Sequence, residues 1–154
     1  MKVTFRRARR EDVPTIVAML ADDDLGATRE QVGEESIPDA YWRAFDAIDA
    51  DAEHQLLVVG EDDDGQLVAT MHLTFIPSLT YVGGERAQIE AVRVASSTRG
   101  SGVGGQMMAW AIDRARERGC RLMQLSTNKS RPDAHRFYEA LGFERSHEGM
   151  KLLL

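Results

Sequence analysis

A glycine-rich segment, residues 99–105, has the composition of a phosphate-binding loop. It reads Arg99-Gly100-Ser101-Gly102-Val103-Gly104-Gly105, with four glycines in six consecutive positions. Glycine lets a backbone approach a ligand closely and adopt a positive φ. Where such a loop opens a helix, unpaired N–H groups and the positive end of the helix dipole favour an anion. The segment therefore predicts binding of a phosphate or pyrophosphate, with the Arg99 guanidinium adding positive charge.

Three phosphate-binding motifs compete for this segment. Gly100, Gly102 and Gly105 satisfy G-x-G-x-x-G, but a dinucleotide loop directly follows its strand and has an acid about 20 residues further on. Here residues 96–99 separate the glycines from the strand, and the next strand ends without an acid. A Walker A motif requires lysine where Gln106 stands. The remaining pattern is R-x-x-G-x-G, from Arg99 to Gly104.

A second motif lies downstream, where residues 134–143 read A-x-x-F-Y-E-x-L-G-F. The two motifs, in this order and spacing, resemble the acyl-CoA-binding loop and the signature of the GNAT N-acetyltransferase superfamily. Residues 89–94 are similar to the fourth strand of that family. The resemblance extends across essentially the whole chain and is weak before about residue 55.

The resemblance implies acetyl-CoA as cosubstrate. Its pantetheine would lie along a strand that splays from the next one, between the backbone of Val92 and Val94 and a wall formed by residues 125–128. The expected coenzyme-binding residues are Val92, Arg93, Val94, Arg99, Gly100, Ser101, Gly102, Val103, Gly104, Gly105, Asn128 and Arg131. Arg131 departs from the family pattern, which often has asparagine there, and it either contacts the CoA phosphates or lies on the surface.

The resemblance also implies a general base at or near Glu90. Glu90 alternates with Val92 and Val94, so a period of two places all three on one face of the strand. A carboxylate among apolar neighbours is costly unless it is paired or functional, and burial would raise its pKa towards the range of a general base. The alternative is an exposed glutamate, or one paired with an arginine such as Arg93.

Tyr138 occupies the tyrosine position of the F-Y-E motif, where the family's tyrosine often protonates the departing CoA thiolate. A phenol with a pKa of about 10 is protonated at neutral pH and can donate that proton. The alternative is a hydrogen-bonded core tyrosine, since Phe137 and Leu141 on the same helix are expected in the core.

These assignments predict direct acyl transfer to a primary amine of a small molecule or peptide. The amine attacks the thioester carbonyl, a backbone amide near Val92 polarises that carbonyl, and no covalent enzyme intermediate is needed. The alternative on the same fold is a non-catalytic acyl-CoA-binding regulatory module. A nicotinamide-dependent enzyme is a distant third.

Acidic residues are concentrated in the segments that supply acceptor contacts in this fold, namely the first two helices and the loop between them. They are Asp22, Asp23, Asp24, Glu34, Glu35 and Asp39. Because clustered acids attract cations, one hypothesis is a cationic amine acceptor. The alternative is a solvated acidic surface.

The elements that position these residues are predicted from hydrophobic periodicity and from turn residues. Strands are expected over 3–6, 55–60, 67–76, 86–95 and 121–126, with one or two more after residue 143. Helices are expected from residues 11 and 38 and over 102–118 and 132–141. The order β-α-α-β-β-β-α-β-α-β predicts an α/β fold, with a mixed, mostly antiparallel sheet flanked by helices, as in the GNAT family.

Composition defines the class of protein. The 154 residues, 43% hydrophobic and 29% charged, predict one globular domain over 1–154. The net charge of −6 argues against nucleic-acid binding, and no run predicts a membrane helix or a signal peptide. The single cysteine, Cys120, fits a reducing compartment, so a cytoplasmic location is expected. The resemblance suggests a homodimer.

Histidine spacing argues against a metal site. The four histidines are dispersed along the chain without metal-ligand spacing. Packed or solvated imidazoles are therefore expected. His72 lies on a strand that could face the acceptor and remains an outside candidate for a functional role.

Overall fold

The structure is a computed structural model that describes residues 1–33 and 36–154. The strands are β1 (Thr4–Arg7), β2 (Gln55–Glu61), β3 (Leu67–Ile76), β4 (Arg86–Val94) and β5 (Leu122–Leu125). The helices are α1 (Val13–Ala21), α2 (Gly26–Arg29), α3 (Asp39–Ala50), α4 (Thr80–Gly83), α5 (Val103–Arg118) and α6 (Pro132–Ala140). Short 3-10 turns precede α1 (Arg10–Asp12) and follow β4 (Ser96–Thr98).

The five strands form one sheet in the order β1-β2-β3-β4-β5. The first three pairings are antiparallel, whereas β4 and β5 are parallel. The β2–β3 hairpin turns at Gly65, whose φ of 76° suits glycine. The parallel pair is joined through α5, as a parallel connection requires.

Helices cover both faces of the sheet. The larger core cluster lies between α5 and the sheet, and its fully buried members include Val58, Met71, Leu73, Met107 and Met108. The second cluster joins α1 and α3 to the sheet through Val17, Phe45 and Val59. Val58 and Val59 are consecutive strand residues and point to opposite faces, so the two clusters lie on opposite sides of the sheet.

The predicted fold class is confirmed, with strands β2, β3 and β4 and helix α5 within one residue of their predicted ends. The short helices α2 and α4 were not predicted. The strand expected after residue 143 is absent, and residues 143–154 form no helix or strand. Four of its apolar residues are largely exposed: Met150, Leu152, Leu153 and Leu154. The predicted loop or frayed helix end at Glu34 and Glu35 lies outside the described residues.

Candidate active site

The edge of β4 that faces β5 is open beyond Ile89. The β4–β5 pairing runs from Arg86–Leu122 to Ile89–Leu125 and stops there. The Ala95 N–H donates to the Val68 carbonyl on the β3 side (2.8 Å). Alternation along the strand therefore directs the backbone groups of Val94 and Val92 away from β3, towards the open edge.

Arginine side chains reach this open edge. Arg93 Nη1 donates to the Val92 carbonyl (2.8 Å), and Arg99 Nε donates to the Val94 carbonyl (3.3 Å). Backbone groups that a neighbouring strand would normally bond are thus held by side chains. Such an edge can accept an extended ligand in the manner of an added strand.

A bulge at Ala91 changes which face of β4 each residue occupies. The register of the β3–β4 pair shifts between Thr70 and His72, and Ala91 has a φ of 54°, in the left-handed region. An extra residue of this kind reverses the alternation that follows it. Val92 and Val94 accordingly pack against the same core cluster as Ile89.

The predicted shared face of Glu90, Val92 and Val94 is therefore wrong, because period-two counting assumes an unbulged strand. Glu90 is exposed on the opposite face, so the argument from burial among apolar neighbours does not apply to it. The strained Ala91 conformation is of the kind that persists where the surrounding structure enforces it, often at functional sites.

Glu90 belongs instead to a polar row on that face. Gln124 Nε2 donates to Gln88 Oε1 (2.8 Å), and Gln88 Nε2 donates to Glu90 Oε1 (2.9 Å). His72 is the direct cross-strand neighbour of Glu90, and its Nε2 lies 2.6 Å from Gln55 Oε1. The row crosses the sheet from β5 to β2. Polar residues at alternate positions of these apolar strands were its sequence signal.

His72 is the titratable side chain that faces Glu90. Burial lowers the pKa of His72 below its usual value, although the Glu90 carboxylate opposes this shift. Burial therefore favours the neutral form of the imidazole that lies beside Glu90.

The glycine loop leads into the N-terminus of α5. Gly100 and Gly102 both have a φ of 83°, and Gly102 is the N-cap residue of α5. The first helical bond runs from the Gln106 N–H to the Gly102 carbonyl (3.1 Å). The N–H groups of residues 103–105 consequently have no acceptor inside the helix.

Fewer amides of the glycine loop are free to bind a ligand than the sequence predicts. The Arg99 and Ser101 amides bond back to Ser96 (3.5 Å) and Thr98 (3.2 Å). The amides of residues 103–105 remain directed out of the helix N-terminus, where the helix dipole favours an anion. A Cβ at Gly105 would meet no atom within 4 Å, so the space beside it is open. These groups fit the pyrophosphate of an acyl-CoA.

Tyr138 lies on α6 among other aromatic rings. Its ring centroid is 5.1 Å from that of Phe137 and 5.9 Å from that of Phe143, both in edge-to-face geometry. Phe137 also lies 3.5 Å from the position of a Cβ at Gly104, so the two sequence motifs meet in space. Burial raises the pKa of the Tyr138 phenol above its usual value, while Arg93 and Arg131 act in the opposite direction.

Asn128 and Arg131 lie in the turn between β5 and α6. Asn128 Oδ1 accepts from the Ser130 N–H (2.9 Å) and from Ser130 Oγ (2.7 Å), which leaves its amide nitrogen for a ligand. Arg131 Nη2 donates to Asp23 Oδ2 (2.8 Å) at the far end of α1. Arg131 thereby joins α6 to the segment between α1 and α3.

The acidic segment is partly neutralised by arginines. Asp22 is paired with Arg99, through its carbonyl oxygen (2.9 Å) and its carboxylate (3.5 Å). Asp23 is paired with Arg93 and Arg131. These pairings were not predicted, and they weaken the case for a cationic acceptor. Two other acids of the hypothesis, Glu34 and Glu35, lie outside the described residues.

Two further features of the described residues concern metals and membranes. No group of three His, Cys, Asp or Glu side chains there could hold a metal ion. No helix in 1–33 or 36–154 is long and apolar enough to cross a membrane.

Cys120 is half-buried beside Glu85, and burial raises the pKa of its thiol, as expected of an unreactive cysteine.

Comparison with known proteins gives matches to acetyltransferases. The sequence model of a family described as acetyltransferase (GNAT) matches residues 17–143. The aminoalkylphosphonate N-acetyltransferase of Salmonella typhimurium is 28% identical over 144 residues, which are 93% of this chain and 86% of that protein.

Solved structures share the fold over the whole chain. A protein described as a transcriptional regulator from Bacillus halodurans is 48% identical, with a TM-score of 0.94 over 99% of this chain and 100% of that chain. A predicted acetyltransferase from Clostridium acetobutylicum, solved with acetyl-CoA, is 21% identical, with a TM-score of 0.74 over 99% of this chain and 96% of that chain.

Proposed function

The chain belongs to the acetyltransferase (GNAT) family and is an acyltransferase, and on this premise we propose that it moves an acetyl group from acetyl-CoA to a primary amine by direct attack. We propose that residues 1–154 act as one N-acetyltransferase domain. The observation that carries the proposal is the open edge of β4, flanked by the free amides of α5 and by Tyr138.

The coenzyme would be held mainly by backbone. The amides of residues 103–105 would bind its pyrophosphate, since three N–H groups and a helix dipole point to one place. The outward groups of Val92 and Val94 would bond the pantetheine along the open edge, and the Asn128 amide would contact it from the opposite wall. Arg99, bonded to Val94 and Asp22, would fix the loop as well as add charge.

The reaction needs two proton transfers, and each has a candidate group. Acetyl-CoA supplies the thioester carbonyl; the amine nitrogen bonds to the acetyl carbon as the carbon–sulfur bond breaks. Glu90, directly or through a water, accepts the amine proton, and Tyr138 gives its proton to the thiolate. The Val92 N–H would polarise the carbonyl. Glu90 is exposed on the polar row beside His72, where an amine from solvent can reach it.

Release of free thiol from acetyl-CoA is the direct test. The protein is mixed with acetyl-CoA and a panel of cationic, neutral and anionic primary amines, and thiol and acetylated product are both measured. We expect thiol and N-acetyl product in equal amounts with at least one amine. Thiol without acetylated amine would indicate hydrolysis and would contradict the proposal.

We also propose a cytoplasmic homodimer. Exposed large apolar side chains among the described residues fall mostly in two segments, the β3–β4 loop with Leu79, Tyr81 and Val82, and residues 150–154. Such exposed surface favours association with a second copy. Light scattering after size exclusion should give twice the 17.2 kDa chain mass, and removal of residues 150–154 should shift the protein towards monomer.

A second candidate function is that of a non-catalytic acyl-CoA-binding regulatory module. The Bacillus relative supports it, because that protein is described as a transcriptional regulator and is 48% identical. This function would depend on coenzyme binding rather than on turnover. It predicts that acetyl-CoA raises the melting temperature while no amine releases thiol, and that Tyr138→Phe changes neither result.

A further inference from the structure

Arg93 and Arg131 both approach the carboxylate of Asp23, beside the open edge of β4 that faces β5. Asp23 Oδ2 lies 2.8 Å from Arg131 Nη2 and 3.4 Å from Arg93 Nε. The other oxygen, Oδ1, accepts the Gly26 N–H (2.5 Å). Both oxygens of Asp23 are therefore engaged, and one negative charge serves two guanidinium groups.

Arg93 is buried and incompletely bonded. Its side chain is only 13% exposed. Nη1 donates to the Val92 carbonyl, but the buried Nε has no hydrogen-bond partner among the described residues, although Asp23 Oδ2 lies 3.4 Å away. A buried guanidinium with a free donor is costly unless a water, an ion or a ligand completes its bonding, and the Nε atoms of Arg86 and Arg114 are in the same position.

The charge around Arg93 is positive on balance among the described residues. The groups that act on it are Asp23, Arg131, Arg29 and Glu30. With Arg93 itself this makes three guanidinium groups against two carboxylates, and Glu30 already accepts the Tyr41 hydroxyl (2.6 Å). An additional anion is the group that this environment lacks.

The two arginines and Asp23 lie beside the proposed catalytic residue Tyr138, next to the segment between α1 and α3. Arg93 and Arg131 are the two charges that act on the Tyr138 phenol. Arg93 Nη1 reaches the open edge of β4 at Val92. The glycine loop has its own arginine, Arg99, which is held by Asp22. An anion bound between Arg93 and Arg131 would thus lie on the acceptor side of the thioester.

We propose that Arg93 and Arg131 bind an acidic group, a carboxylate or a phosphonate, carried by the amine acceptor. The proposal rests on the acetyl transfer proposed above and specifies its substrate class. It replaces the cationic acceptor of the sequence hypothesis. A second source of the same chemistry is a phosphate of the coenzyme, because both arginines are among the expected coenzyme-binding residues and a contact of Arg131 with the CoA phosphates is one of its two expected roles, and the experiment must separate the two.

The test compares acceptors that differ only in the acidic group. β-Alanine is compared with β-alaninamide, and 2-aminoethylphosphonate with ethanolamine, as kcat/KM corrected for the fraction of free amine. The variants are Arg131→Gln, Arg93→Lys, which keeps the charge but loses the planar fork, and the control Arg136→Gln on the exposed face of α6.

We expect the wild type to favour the acidic member of a pair by about tenfold or more, as one charge-assisted hydrogen bond supports. Arg131→Gln should lower that ratio by about tenfold, with the loss falling on kcat/KM for the acidic member of each pair. Arg93→Lys should lower the ratio less, and Arg136→Gln should not change it.

Four results would overturn the inference, and they differ in whether they also contradict the proposed acetyl transfer. Equal rates for acidic and neutral members, or a preference for a diamine such as putrescine, contradict it while acetyl transfer stands. A raised KM for acetyl-CoA in Arg131→Gln with an intact ratio assigns the arginines to the coenzyme. Failure of every amine to release thiol contradicts the proposed transfer itself, and the acceptor site with it.

Discussion

Replacement of Tyr138 by phenylalanine separates the catalytic from the structural interpretation of this residue. The substitution keeps the ring and both edge-to-face contacts, at 5.1 and 5.9 Å, which are worth about 0.5–1.5 kcal/mol each. Within the described residues the hydroxyl makes no hydrogen bond that the change would break. We therefore expect the free energy of unfolding to change by less than about 0.5 kcal/mol.

The effect on turnover should be much larger. A positioned general acid contributes about 10²–10⁴-fold, or about 2.7–5.4 kcal/mol. A thiolate whose conjugate acid has a pKa of about 8.5 is a good leaving group, so the lower end applies here. We expect Tyr138→Phe to lower kcat about a hundredfold, with KM for acetyl-CoA nearly unchanged.

The pH dependence gives an independent check. Burial raises the pKa of Tyr138, so the folded state holds this proton more tightly than the unfolded chain does. The wild type should therefore lose stability as the pH rises above about 10, and the variant should lose less of it.

Thiol-release kinetics and urea unfolding at pH 8 and pH 10.5 measure these effects. The matched control is Tyr41→Phe, which removes a phenol bonded to Glu30 and outside the proposed catalytic groups. If kcat for Tyr138→Phe stays within threefold of wild type while the fold is intact, Tyr138 is a packing residue and the general-acid argument fails.

Three further predictions follow from the geometry. Glu90→Gln keeps an oxygen for the Gln88 amide, so stability should be unchanged while kcat falls about a hundredfold or more; full activity would identify Glu90 as a surface residue. Gly102→Ala, at φ 83°, should cost about 1–2 kcal/mol and raise KM for acetyl-CoA, whereas Gly105→Ala, with open space around it, should not destabilise the protein in chemical unfolding. Asp12→Asn should cost about 1.5–3 kcal/mol in the same assay, because the buried Asp12 accepts two bonds from Arg6, which keeps Glu61 as a second partner; a cost under about 1 kcal/mol would contradict this.

The structural features that the sequence predicted correctly depend on local sequence patterns. The glycines at 100 and 102, the hairpin turn at Gly65 and the apolar stripe of α5 depend on nearest neighbours and on a regular period. The strand expected after residue 143 failed for the complementary reason. Strand formation needs pairing with a neighbour, and in the described part of the chain no segment pairs with the outer edge of β5.

The sequence motifs predicted which candidate residues lie close together better than the face of the sheet that each one occupies. The position of Tyr138 beside the glycine loop follows from two motifs, and Phe137 packed against Gly104 brings those motifs together. The face of Glu90 was wrong because one extra residue at Ala91 reverses the alternation, and a bulge at a non-glycine residue leaves no mark in hydrophobic periodicity.

The sequence by itself determined the donor half of the reaction, because a phosphate cradle is made of backbone and needs only glycines at the start of a helix. Only the tertiary structure decided which charges meet beside the open edge of β4. Asp23 and Arg131 lie 108 positions apart, and their pairing beside Arg93 depends on how α1, β4 and α6 pack. Along the chain Asp23 is one acid in an acidic run, whereas in the fold its carboxylate is shared by two arginines.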